Sequence, residues 1–137
     1  MAGEPFLETN VFVRHLTGDE PNHSPRATAY FDRIQKGELI VRTADTVVFE
    51  TVFTLQSFYH APRTAIRDGL LPLLELSGII LPGKDSFREV FELYVSHPRI
   101  SFADCYHAVL AKRLGSTEIV SFDRDFDRLP GITRIEP

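Results

Sequence analysis

Short apolar runs alternate with amphipathic stretches along this chain, and the alternation reads as extended segments each leading into a helix. Pro5-Phe6-Leu7 is an apolar segment that stops at Glu8, and Asn10 then stands as a helix cap before Val11-Phe12-Val13-Arg14-His15-Leu16. Prolines and polar residues from Gly18 to Pro25 predict a loop, followed by a helix from about Arg26 to Lys36 that Gly37 ends. Glu38 to Thr43 has the pattern of a strand, and a helix follows from Asp45 or Thr46 to Tyr59. A further helix, about Arg63 to Leu76, leads through Gly78 into a strand at Ile79 to Leu81 that Pro82-Gly83 closes.

Ser86 to Glu89 has the form of a capping box opening a helix to about Val95. Ser101 to Asp104 has the same form and opens one to about Leu114, closed by Gly115. Glu118 to Phe122 predicts a strand ending at Asp123, then a short helix near Phe126 to Leu129 and a last extended piece at Ile132 to Ile135. Repeated strand, helix, strand order predicts an α/β fold with a mostly parallel central sheet flanked by helices, because parallel neighbours need crossover connections. Ligands of such sheets bind beyond the carboxyl ends of the strands, where Glu8 and Asp123 fall.

Length then sets the domain count: 137 residues make one domain, residues 1–137, able to close a core without a disulfide or structural metal. The single cysteine, Cys105, removes disulfide and thiolate-metal functions, and its place in a helical packing pattern predicts a buried thiol. No run approaches a membrane span and no basic-then-apolar leader opens the chain, so a cytoplasmic protein is expected. A net charge of −4 argues against bulk capture of nucleic acid, so any such site must be local. His15, His60 and His107 lack metal-ligand spacing and read as surface or packing residues.

Four separated acids carry the chemistry. Glu8 ends a strand beside Thr9 and Asn10, which can turn the chain or hydrogen-bond a carboxylate. Glu50 shares a polar stripe with Thr46, Thr54 and Ser57 on a helix otherwise so apolar that burial is expected, and a buried lone carboxylate needs a cation or a partner. Asp104 taken alone is explained by its capping box. Asp123, Asp125 and Asp127 crowd one turn, where acids also favour a helix start, which leaves Asp123 or Asp125 open as the fourth acid. Together, clustered carboxylates repel unless a cation neutralises them, and oxygen-only donors select Mg²⁺ or Mn²⁺, ions that activate water for phosphodiester hydrolysis.

Phe6 to Leu16, Glu50 in its helix, Ser101-Phe102-Ala103-Asp104 with Ala108, and Val120 to Phe126 resemble, in order, the four acidic motifs of PIN domains, and the single-domain size resembles VapC-type toxins of toxin–antitoxin pairs. The resemblance implies a Mg²⁺- or Mn²⁺-dependent endoribonuclease with Glu8, Glu50, Asp104 and Asp123 as catalytic acids, of which Glu8, Asp104 and Asp123 hold metal. It also implies a homodimer and an antitoxin partner that blocks the site. Thr9, Asn10, Arg14 and Arg124 stand beside the motifs as candidates to hold RNA, with Arg128 a further arginine near them. The apolar stretches Val52 to Tyr59 and Ile66 to Leu76 offer a dimer or antitoxin surface, although core packing accounts for the same pattern.

One position departs from the family: the first acid is usually Asp, and Glu8 is one methylene longer. Two other readings follow from the same residues. One is a catalytically weakened PIN fold that binds RNA or antitoxin; the other is a Toprim-like nucleotidyl domain built on Glu8 and Asp123-Arg124-Asp125, which leaves Glu50 and Asp104 unused and expects a glycine where Thr9 stands.

Overall fold

Helices and short parallel strands alternate through the computed structural model, which describes residues 3–137. The backbone forms two units, one running to Asp85 and the other from Ser86. In the first, α1 (Thr9–Thr17) and α2 (His23–Gln35) precede β1 (Val41–Arg42), and α3 (Asp45–Ser57) and α4 (Arg63–Leu74) lead to β2 (Ile79–Ile80). β1 and β2 run parallel, with Val41 opposite Ile79 and Arg42 opposite Ile80. The amino-terminal segment extends this ladder: Phe6 bridges Arg42 in parallel, Leu7 N–H donates to the Arg42 carbonyl at 2.7 Å, and Arg42 N–H donates to the Pro5 carbonyl at 2.8 Å. That pairing places the end of the segment, and so Glu8, beside the end of β1.

Much of the apolar surface read from the sequence packs. Phe12, Phe31, Ile34, Val48, Val52, Ile66, Leu70 and Leu74 are buried around the ladder residues Val41 and Ile79. Helix ends differ more. α1 is capped by Glu8, in extended conformation (φ −91°, ψ 164°), and not by Asn10, because the chain already turns at the ladder's last hydrogen bond. α2 begins at His23, ahead of the expected Arg26, and takes Pro25 into its first turn, where a missing N–H leaves no helical bond unmade. Gly37 (φ +80°) ends the turn after α2.

Gly78 is where the first unit has no spare room. A methyl group there would lie 2.8 Å from the Leu39 carbonyl oxygen and 2.9 Å from Ile34 Cγ2. Gly78→Ala is therefore expected to destabilise the fold by about 1–3 kcal/mol, measured as a lowered urea midpoint with unchanged slope.

The second unit holds α5 (Phe87–Ser96), α6 (Phe102–Arg113), β3 (Glu118–Val120) and β4 (Thr133–Ile135), the two strands again parallel, Val120 opposite Ile135. An aromatic cluster joins the helices, with the Phe102 ring 4.9 Å from Phe91 and 5.3 Å from Tyr94. Cys105 is buried, as its place in a helical packing pattern predicted. The Ser86 box is not formed, since Ser86 belongs to a 3-10 turn, Lys84–Ser86, in right-handed conformation (φ −76°, ψ −24°) with no side-chain cap. At Ser101 the cap is made: the residue is extended and its Oγ accepts from Asp104 N–H at 3.1 Å.

Candidate active site

Each unit gathers one pair of the predicted acids. In the first, Glu8 sits at the amino end of α1 with its carboxylate accepting from Thr9 N–H at 3.3 Å. Glu8 and Glu50 line one hollow of about 470 Å³, together with Thr9, Asn10, Arg14, Thr54, Phe58 and Tyr59. Glu50 itself is exposed. The expected burial of its carboxylate is thus corrected: α3 buries Val47, Val48, Thr51, Val52 and Leu55 and leaves Phe53 70% exposed, so the helix is apolar beyond what it packs. What singles Glu50 out is the hollow it shares with Glu8.

Arg14 is oriented on the rim of this hollow. Its guanidinium lies 3.3 Å from Asp19 Oδ1, which also accepts from Thr17 Oγ1 at 2.7 Å, while Asp19 Oδ2 accepts from the Tyr59 hydroxyl at 2.6 Å. Those donors, Tyr59 first, hold the Asp19 carboxyl below the usual carboxylate range, and the same bond raises the Tyr59 phenol. Thr9 Oγ1 is buried and has no hydrogen-bond partner among the described residues. A buried hydroxyl left this way costs stability. Asn10 and Arg14 also line a second hollow beside Glu8, about 700 Å³, whose far wall carries His23, Arg26 and Tyr30.

In the second unit Asp104 is half-buried in the first turn of α6. Burial, then the charge of Asp123, pushes its carboxyl above the ordinary range; the Ser101 hydrogen bond and His107 oppose this, and Asp125 adds to it. Asp123 caps a 3-10 turn, Arg124–Arg128, its Oδ1 accepting from Asp125 N–H at 2.9 Å. Asp127 is engaged elsewhere, in an ion pair with Arg134 at 3.1 Å that Glu136 extends at 2.8 Å. The charges of Asp123 and Asp125 thus both act on Asp104, whereas Asp127 is paired with Arg134. Arg124 and Arg128 are exposed. Of the histidines, His15 packs on Phe31 and bonds Thr28 Oγ1 at 2.8 Å, and His60 and His107 are exposed.

Among the described residues no three His, Cys, Asp or Glu side chains form a ready-made metal cage. A hard cation of the Mg²⁺ kind does not require one, because it keeps several waters and binds through one or two carboxylates plus substrate oxygens. The donors present fit that chemistry. The charge of Asp123 makes ionising Asp104 costlier, which a cation relieves, and Glu8 and Glu50 line one hollow with Thr9.

The sequence profile of the PIN domain matches residues 6–132. The chain belongs to the PIN-domain family. Over 134 residues, 96% of either chain, this PIN domain is 32% identical to a VapC ribonuclease of Aquifex aeolicus (strain VF5). The matched interval takes in Glu8, Glu50, Asp104 and Asp123 alike, and the Toprim-like reading falls with it. Phe58, Tyr59, Asp19 and Arg26 escaped the reading of the sequence as site residues. For Phe58 a signal was there, since it follows Glu50 and Thr54 at successive helical i, i+4 steps.

Proposed function

We propose that residues 1–137 act as a single PIN-like nuclease domain that hydrolyses RNA phosphodiesters internally, as the toxin of a type II toxin–antitoxin pair. The observation that carries this reading is the 32% identity to a VapC ribonuclease along 96% of the chain. The acids assigned to catalysis are Glu8, Glu50, Asp104 and Asp123, and those assigned to cation binding are Glu8, Asp104 and Asp123. Mg²⁺ or Mn²⁺, when bound, would make an attacking water easier to deprotonate and would stabilise charge on the phosphoryl oxygen.

The rest is done by side chains. Arg14, fixed by Asp19, draws the phosphate toward the Glu8 hollow, Thr9 and Asn10 line that hollow as further contacts, and Arg124 gives a second contact to the strand. The proposed setting is a cytoplasmic homodimer held in check by a cognate antitoxin. Among the described residues no helix is long and apolar enough to cross a membrane.

Single-stranded RNA digested with Mg²⁺ or Mn²⁺ and with EDTA at matched ionic strength tests the reading, alongside thermal melts. Cleavage and a raised melting temperature are expected with the cation only. A melt and a digest indifferent to EDTA would reject a cation site.

A further inference from the structure

We infer that Phe58 and Tyr59, at the carboxyl end of α3, form a stacking subsite for an unpaired nucleobase of the RNA strand; this rests on the ribonuclease reading and adds to it where the strand is gripped. Glu50, Thr54 and Phe58 lie on one stripe of α3, so the aromatic ring stands two helical steps, about 12 Å along the axis, from the acid. Both ends of that stripe line the same hollow as Glu8. A strand with a phosphate at the acids passes this ring.

The platform is rigid before anything binds. The Phe58 and Tyr59 rings meet edge to face at 5.1 Å, and the Tyr59 hydroxyl is tied to Asp19 at 2.6 Å. The backbone beneath is pinned as well: Phe58 and Tyr59 N–H both donate to the Thr54 carbonyl, at 3.0 and 3.3 Å, and Ala61 N–H donates to the Leu55 carbonyl at 2.9 Å. A preordered ring loses little freedom when a base stacks on it. Yet Phe58 is 75% exposed, an apolar surface that packing in this chain does not use.

A base suits it better than an apolar protein face does. The exposed neighbours Ser57 and His60 are polar, Glu50 is charged, and Phe53, five residues back, points about 140° away around the helix. An exposed ring among polar groups, with an arginine on the same rim, is how single strands are held: stacking on the ring, charge on the backbone.

An RNA oligonucleotide made uncleavable by 2′-O-methylation and carrying 2-aminopurine reports stacking through fluorescence quenching. With the full chain in Mg²⁺, Phe58→Ala is expected to weaken binding about 10-fold and to remove the quench, and Phe58→Trp to keep both. Phe53→Ala should leave affinity unchanged. Equal affinity and quench in wild type and Phe58→Ala overturn the subsite, whether or not RNA is cleaved. So does an equal loss with Phe53→Ala, or a change in sedimentation on Phe58→Ala with RNA affinity untouched, which would make the ring a contact between copies. Quenching that depends on Phe58 in a protein that cleaves no RNA sustains the subsite and rejects the hydrolytic reading alone.

Discussion

Asp104→Asn is expected to lower RNA cleavage at least about 100-fold while leaving the domain folded. Asn keeps the size of the side chain, and the Ser101 cap it sits under is made to the backbone N–H, which the substitution does not touch. The ligand charge is lost, along with the charge that faces His107 at 3.9 Å. Stability should move the other way in metal-free buffer. Because burial and Asp123 hold the Asp104 carboxyl above its ordinary value, the folded chain binds a proton there more tightly than the unfolded chain does. Its ionised form therefore weakens the fold at neutral pH, and that penalty disappears as pH falls below the ordinary carboxylate range. In EDTA, Asp104→Asn should melt above wild type at neutral pH and level with it in acid. Full activity in a dose-matched digest would mean that the capping role explains Asp104 completely.

Glu8→Asp is the variant expected to gain. The extra methylene of Glu8 shifts the carboxylate by about one carbon–carbon bond, and a misplacement of ~1 Å at a reacting centre costs up to ~100-fold. Glu8 is also the cap of α1, where its side chain reaches only the adjacent Thr9 N–H, and Asp is a stronger capping residue than Glu. Both effects favour the shorter acid. Mg²⁺ titrations of the two proteins on one RNA should show higher activity or tighter metal binding for Asp, and EDTA melts should show a modest gain from the cap alone. A slower Asp variant would mean that the hollow is fitted to Glu. Equal titration curves would take position 8 out of the metal site, and a wild type without activity that Asp restores would identify the natural chain as a weakened PIN fold.

Local pattern alone located α3, α6, the Ser101 cap, the buried Cys105 and the parallel α/β character. These are properties that a residue and its near neighbours largely set: an apolar stripe at helical spacing favours packing, and an extended serine three residues before a first-turn acid can cap. The sequence did not reveal that Glu50 is exposed, because periodicity records that a helix has an apolar face but not how much of it neighbours cover; Phe53 and Phe58 stay out in solvent. Nor did it place the cap of α1 at Glu8, which depends on where the amino-terminal segment leaves Arg42. The tie from Asp19 to Tyr59 crosses 40 residues and belongs to no motif. Hydrogen bonds between elements depend on which surfaces meet when the helices pack, and only the tertiary structure decides that.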